Sequence, residues 1–345
     1  EADGQTKSGL YNLFIPVTET YVIDEYGRSD IPAAKDKIRL RLDKYIGDEA
    51  TLIKERRKYP STLDEALMTS SQDNPFNLEV LNKRNRQLEN MVDKPYVKGD
   101  FVWEIPFEKA KFVPNEVNGK WHVSWLPTQS KQNLVVTQHG DNPFYPDNNH
   151  KLFAGVDPIN YGGSSAQAGK SSISCVIKRK TDVSDNPELS GNYVADYIDR
   201  PENPDLAYES ILIGCWFYGC EIHIENQKFD IGNWLQKNRC RNFIMSRPDT
   251  TKKLTKKKSF ITEDGTPAGT GVIDLYVNLL KRHILAHGHK INHPRLITQF
   301  MGFTVKGRTK FDMVVAAGYA EIAEDAPFKP KIKGVDFTGL YKSFN

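Results

Sequence analysis

Lys151-Leu-Phe-Ala-Gly-Val-Asp157-Pro158-Ile-Asn-Tyr-Gly-Gly-Ser-Ser-Ala-Gln-Ala-Gly-Lys170-Ser-Ser-Ile-Ser-Cys-Val-Ile177 is the stretch around which the rest of the chain is arranged. It reads as strand, Gly/Ser turn, strand. Leu152 to Val156 is apolar and β-prone and stops at Asp157-Pro158. A proline disfavours helix at the residue before it, which predicts extended backbone at Asp157 and places its carboxylate at a strand end. Ile173 to Ile177 can return antiparallel through Gly162-Gly163. Taken alone, an Asp in Asp-Pro also suits a capping or turn role, so the remaining sequence must decide.

The 345 residues carry a formal net charge of +3, too small to define a polyanionic partner, so local clusters of charge must do that. No apolar run reaches the roughly 18 residues of a membrane span, and Glu1-Ala-Asp-Gly-Gln-Thr6 lacks a secretory pattern. The absence of a starting Met suggests a fragment or a processed chain. Cys175, Cys215, Cys220 and Cys240 lack Cys-x-x-Cys spacing and suit reduced, buried thiols better than a zinc site.

Upstream, Ile31 to Arg57 has helical spacing with Ile38, Leu40, Leu42 and Ile46 as its apolar positions. Tyr59-Pro-Ser-Thr-Leu-Asp-Glu-Ala-Leu67 restarts a helix with Ser61 or Thr62 as N-cap. A further helix spans about Leu78 to Met91. Residues 98–150 read as a small antiparallel insertion, with strands at Phe101–Ile105, Ala110–Val113 and Trp121–Trp125 and a hairpin signal at Asn118-Gly119.

Downstream, Tyr193–Ile198 reads as a strand. Pro204–Tyr218 reads as a helix with Leu206, Ile211, Leu212 and Trp216 toward a sheet. Glu221–Asn226 is the next strand, Phe229–Lys237 a helix, and Asn242–Met245 a strand. This strand–helix–strand spacing predicts a parallel crossover. Helices are expected at Gly271–His287, Arg295–Phe300 and Phe311–Ala323, and residues 327–345 form a basic tail.

Asp157 and Glu225 end two strands, and Asp312 opens the last helix. Carboxylates are the ligands of hard cations such as Mg²⁺ or Mn²⁺, and two ions sharing them can promote phosphodiester hydrolysis. Glu225 alone also fits a surface strand residue, and Asp312 a helix N-terminal charge. Lys252, Lys253, Lys256, Lys257 and Lys258 form the densest basic patch, either a solvated loop or a clamp on a phosphate backbone. Gly169-Lys170-Ser171 lacks the upstream glycine of a phosphate loop. His283, His287, His289 and His293 read as a solvated helix end rather than a metal site, and Asp196 and Asp199 as turn residues.

Tyr59-Pro60-x-Thr62 with Glu65-Ala66, Gly155-Val-Asp157-Pro158, Ile224-Glu225-Asn226 and Asp312-Met313 occur in this order. Together they resemble the large terminase subunits of tailed double-stranded DNA phages, over nearly the whole chain. Leu67 and Asp64 replace the usual Phe and Glu. The turn after Asp157 has Gly162-Gly-Ser-Ser165 where the family often has an acidic residue, and Phe311 replaces a second late Asp.

The resemblance implies an α/β, ribonuclease H-like mixed sheet flanked by helices. It assigns 1–97 to the end of an ATPase domain and a helical linker, 98–150 to the β insertion and 151–326 to the nuclease, followed by the 327–345 tail. It further implies a two-metal endonuclease that cuts concatemeric viral DNA during packaging in the host cytoplasm, with Asp157, Glu225 and Asp312 as catalytic and metal-binding residues. Mg²⁺ or Mn²⁺ would be the cofactor. Double-stranded DNA, a portal protein and a small terminase subunit would be the partners, and the lysine patch would hold DNA. The other readings are a non-catalytic DNA-binding or motor-docking module on the same scaffold, and a junction resolvase.

Overall fold

The computed structural model describes residues 14–46, 49–62, 65, 74–147, 151–159, 172–182, 186–226, 230–254 and 264–326. The turn at Gly162-Gly163, Gly169-Lys170-Ser171, Lys256 to Lys258 and the tail at 327–345 lie outside them. The chain divides into two compact units, Glu1–Asn74 and Pro75–Asn345.

In the first unit, α1 (Ile31–Asp43) and α2 (Glu49–Lys58) divide the helical stretch expected as one. Asp30 caps α1 by accepting from the Ala33 N–H, and Pro32 lies in its first turn. Arg41 of α1 donates to Glu55 of α2 at 2.5 Å and lies 4.4 Å over the Tyr59 ring. Thr62 accepts from the Glu65 N–H, and the Glu65 carboxylate accepts from the Ser61 N–H. Of the two N-cap residues expected, Thr62 is the one whose side chain accepts. Residues 63–64 and 66–73 of that segment lie outside the described residues.

The second unit opens with α3 (Leu78–Asn90), capped by Asn77. It was expected as a linker, but it packs into this unit through Leu81 and Leu88, and Arg84 donates to the Ile291 carbonyl. Strands β1 (Val97–Ile105), β2 (Lys109–Pro114) and β3 (Trp121–Val123) follow, then the separate pair β4 (Val135–Thr137) and β5 (Phe144–Pro146). Next come β6 (Leu152–Asp157), β7 (Ile173–Arg179), β8 (Tyr193–Asp199), α4 (Pro204–Tyr218), β9 (Glu221–Ile224) and α5 (Asp230–Lys237). A short α6 (Asp249–Lys252) precedes α7 (Thr270–His287), α8 (Pro294–Gly302) and α9 (Asp312–Asp325).

One mixed sheet has the order β2-β1-β3-β8-β7-β6-β9. Strands β6, β7 and β8 run antiparallel, and β9 runs parallel to β6 after the α4 crossover. The first part of residues 98–150 therefore extends the central sheet, and only β4–β5 stands apart. Asn118-Gly119 does not form a hairpin, because β3 pairs with β1 and β8 rather than β2. The tight turn lies instead between β1 and β2, where Phe107 takes a left-handed φ of 55°. Asn242–Met245 forms a short 3-10 turn at Arg241–Phe243 and an isolated bridge from Ile244 to Ile222, not a full strand.

Alternation along the strands divides the core between two faces. Leu152, Ala154 and Val156 join α4 and α5 in one cluster, with Ile211, Cys215 and Ile222. Leu206 is 59% exposed and does not face the sheet. It lies in the first turn of α4, ahead of the buried run from Ala207. Val176 and Tyr193 join α3, α7, α8 and α9 on the other face. All four cysteines are free and buried. No helix among the described residues is long and apolar enough to cross a membrane.

Helix α9 lies against β6 with almost no spacer. A Cβ on Gly155 would stand 2.0 Å from the Ala316 carbonyl oxygen and 2.3 Å from the Ala320 nitrogen. Both neighbours are backbone and cannot swing aside. Gly155→Ala should therefore destabilise the fold by about 3 kcal/mol, the upper end for overpacking. Urea unfolding at constant m-value measures this, and an unchanged midpoint would contradict the contact.

Candidate functional site

The register of β6 and β9 places two of the three acids. Gly155 pairs with His223 and Val156 with Ile224, so Asp157 and Glu225 are the next neighbours across the parallel pair. The Glu225 N–H bonds to the Val156 carbonyl at 3.1 Å. Neighbouring strands lie about 4.8 Å apart, and residues in register share a face. Gly155 faces the Ala316 and Ala320 backbone, and His223 bonds to the Tyr319 carbonyl at 2.9 Å. Two residues on, Asp157 and Glu225 also face α9.

Asp312 arrives from the helix. A strand residue advances about 3.4 Å and a helical residue about 1.5 Å. Moving from Gly155 to Asp157 therefore covers the distance from Ala316 back toward the N-terminus of α9, where Asp312 sits. Its carboxylate accepts from the Ser172 N–H at 2.8 Å, and the next N–H, of Met313, bonds to Gln299 at 2.9 Å. Ser172 lies two residues before Ser174, the partner of Asp157, a separation of about 7 Å. The helix N-terminus favours negative charge at this edge.

All three acids are buried, at 4% exposed for Asp157, 7% for Glu225 and 8% for Asp312. Two tyrosines share their surroundings. Tyr319 donates to the Thr266 carbonyl, and burial and the charge of Glu225 and Asp157 push its phenol well up. Tyr276 is raised too, first by burial and also by Glu225 and Asp157, while Arg308 opposes the shift. Its hydroxyl is buried without a hydrogen-bond partner. Nothing in the order of residues marked Tyr276 or Arg308. Their proximity to the acids follows from the packing of α7 on α9 and from the Arg308–Lys310 turn that leads into it.

Among the described residues, no group of three or more His, Cys, Asp or Glu side chains stands ready to hold a metal ion. The donor set still has the right chemistry, since carboxylates suit Mg²⁺ and Mn²⁺, and the unpartnered Tyr276 hydroxyl adds a polar atom beside them.

Of the lysine patch, Lys252 ends α6 and pairs with Asp249 at 3.2 Å. Thr251 of the same turn is within 3.4 Å of Thr266, whose N–H bonds to the Ile224 carbonyl. Lys252 and Lys253 thus belong to the Glu225 side of the edge. Lys306, Arg308 and Lys310 precede Asp312 in the chain.

Two expectations are corrected. Asp196 is not a turn residue: it is buried within β8, and Arg295 and His293 bind its carboxylate. His283 and His293 are buried rather than a solvated helix end, because α7 and α8 turn those positions onto the sheet. Ser124, His293 and Asp196 also form a line, with 3.0 Å from Ser124 Oγ to His293 Nε2. Nε2 also faces the Tyr193 carbonyl at 2.9 Å, which can only accept, so Nε2 donates there and does not serve as a base for Ser124.

Neither known protein families nor curated proteins give a match to this chain.

Burial alone would raise the Asp196 carboxyl, but Arg295 and His293 outweigh it and hold it at about 2. The unfolded carboxyl titrates near 3.9, so its stabilising contribution is complete above that pH and is lost as pH falls toward 2. Burial, aided by Arg295, lowers His122 to about 4, so its contribution is complete above 6.5 and fades as pH falls to 4. Urea midpoints should therefore fall in two stages, from 6.5 to 4 and from 4 to 2. Asp196→Asn should remove the second stage and cost about 3–5 kcal/mol at neutral pH, because it leaves Arg295 without its charge partner.

Proposed function

We propose that this chain is a metal-dependent endonuclease of the large-terminase kind, built on a ribonuclease H-like sheet and cutting double-stranded DNA during genome packaging. The observation that carries the reading is the convergence of Asp157, Glu225 and the Asp312 end of α9 at one sheet edge. Three antiparallel strands, a helical crossover and a parallel fourth strand, with acids closing the first and fourth, support the ribonuclease H-like assignment.

Asp157, Glu225 and Asp312 would hold Mg²⁺ or Mn²⁺. When bound, such ions supply Lewis-acid activation of water and neutralise charge on the scissile phosphate. The chain's own part is to keep the acids fixed and partly shielded from solvent. Lys252 and Lys253 at the end of α6, and Lys306, Arg308 and Lys310 ahead of α9, suit contact with the phosphate backbone, which fixes position without reading sequence. A portal protein and a small terminase subunit would be its partners in packaging.

The second reading, a DNA-binding or motor-docking module without catalysis, is favoured by one observation. The acids are not placed to hold an ion as they stand among the described residues.

Supercoiled plasmid incubated with the protein and Mn²⁺ separates the two. The nuclease reading expects nicking that falls about 100-fold or more in Asp157→Asn and Glu225→Gln, with DNA binding retained. Equal nicking by wild type and both variants rejects the assignment. Salt-sensitive binding without any nicking selects the second reading.

A further inference from the structure

A tight turn ahead of Asp312 sets one cation apart from its neighbours. The Gly307 N–H bonds to Thr304 Oγ1 at 3.0 Å. The Lys310 and Phe311 N–H groups then close the Arg308–Lys310 3-10 turn on the Gly307 and Arg308 carbonyls, each at 3.0 Å. The Phe311 ring anchors this turn. It lies 5.7 Å from the ring of the fully buried Phe303, and a Cβ on Gly302 would stand 2.9 Å from it. Lys306 and Lys310 are exposed, whereas Arg308 is half-buried. It stands four residues before Asp312, at most about 8 Å of backbone.

The arginine is directed at the acids. Helices α7 and α9 run the same way, because Tyr276 packs on Gly318 and His283, further along α7, meets Glu321. Helix side chains lean toward the N-terminus, so the Tyr276 ring leans toward the Asp312 end of α9. Tyr319 lies beside it, with ring centroids 6.3 Å apart. The Tyr319 hydroxyl bonds to the carbonyl of Thr266, the residue bridged to Glu225. Burial raises both phenols; Glu225 and Asp157 raise them further, and Arg308 lowers them. The same two hydroxyls therefore feel both the arginine and the acids. Among the described residues, no hydrogen bond or ion pair occupies the Arg308 guanidinium.

A half-buried charge without a partner is unfavourable, and an anion placed between it and the acid edge would relieve it. The planar fork of arginine matches phosphate with two parallel N–H bonds, which lysine cannot supply.

We infer that Arg308 is a catalytic residue of the proposed nuclease, donating that pair of N–H groups to the non-bridging oxygens of the scissile phosphate. The inference rests on the nuclease reading above and adds a residue that acts on the reacting group rather than on the flanking backbone. In the hydrolysis the water oxygen bonds to phosphorus, the bond to one sugar oxygen breaks, and that oxygen takes up a proton. The phosphoryl oxygens carry negative charge throughout, and a guanidinium fixed beside them stabilises the transition state.

The test combines nicking of supercoiled plasmid with Mn²⁺ at saturating protein and binding of a short duplex without metal. Arg308→Ala should melt as wild type does and nick about 100-fold or more slowly at saturation. Arg308→Lys should remain at least about tenfold slow, since it keeps the charge and loses the fork. Low, non-denaturing guanidinium should restore part of the Arg308→Ala rate, which it would not do for a residue that only supports the fold. Without metal, the salt dependence of binding should fall by about one phosphate contact in Arg308→Ala. If wild type nicks, Asp157→Asn does not, and Arg308→Ala nicks as wild type does at saturation, the inference fails while the nuclease reading stands. A slow Arg308→Ala with neither guanidinium rescue nor a changed salt dependence also overturns it. A wild type that does not nick overturns both.

Discussion

The backbone contact between α9 and β6 at Gly155 is the constraint on which the rest of the second unit depends. Most helices stand off a sheet by the width of their side chains. Here Ala316 and Ala320 meet a residue with no side chain, and backbone meets backbone. Such packing tolerates little rearrangement, since interiors are close-packed and backbone atoms cannot change rotamer. Gly318 extends the same principle on the next flank, where the Tyr276 ring occupies the space a Cβ would need. The helix is therefore fixed along its length and about its axis.

That fixation explains why polar groups can be buried at both ends of one helix. At the N-terminal end, the dipole and the Ser172 N–H stabilise Asp312 beside the Asp157 and Glu225 edge. At the C-terminal end, Lys178 meets Glu321 and Glu324, with Tyr193 and His283 taking the remaining Glu321 oxygen. Buried charges are costly unless their partners are well placed. A helix able to slide would expose one set while separating the other.

Much of this architecture could be read from the chain because its signals are local. Pro158 ended β6 at Asp157, Pro204 opened α4, and the apolar spacing of Val272, Leu279 and Ile284 marked α7. The crossover also followed from spacing, and with it the pairing of β9 to β6. What escaped reading is non-local. Asn118-Gly119 has the composition of a hairpin, yet β3 is drawn between β1 and β8, where Trp121 is fully buried. Asp196 stands in the apolar and aromatic run Tyr193–Ile198, which gave no sign of Arg295 and His293, 99 and 97 positions later. Tyr276 and Arg308 join the acid edge only through helix packing, which leaves no mark at fixed spacing.

The rigidity of α9 also limits how its two ends can influence each other. Nine residues separate Asp312 from Glu321, about 14 Å along a helix. Charges that far apart interact weakly through a medium of intermediate dielectric, and groups beyond roughly 10 Å without shared partners behave additively. Coupling would need a movable element between them, and Gly155 removes the obvious one by locking the middle of the helix. The acid edge and the Lys178 network are therefore independent chemical environments on one scaffold. They differ in dipole sign, with the N-terminus of α9 at one end and its C-terminus at the other. A change made at one end should be felt at the other only if it first breaks the contact in the middle.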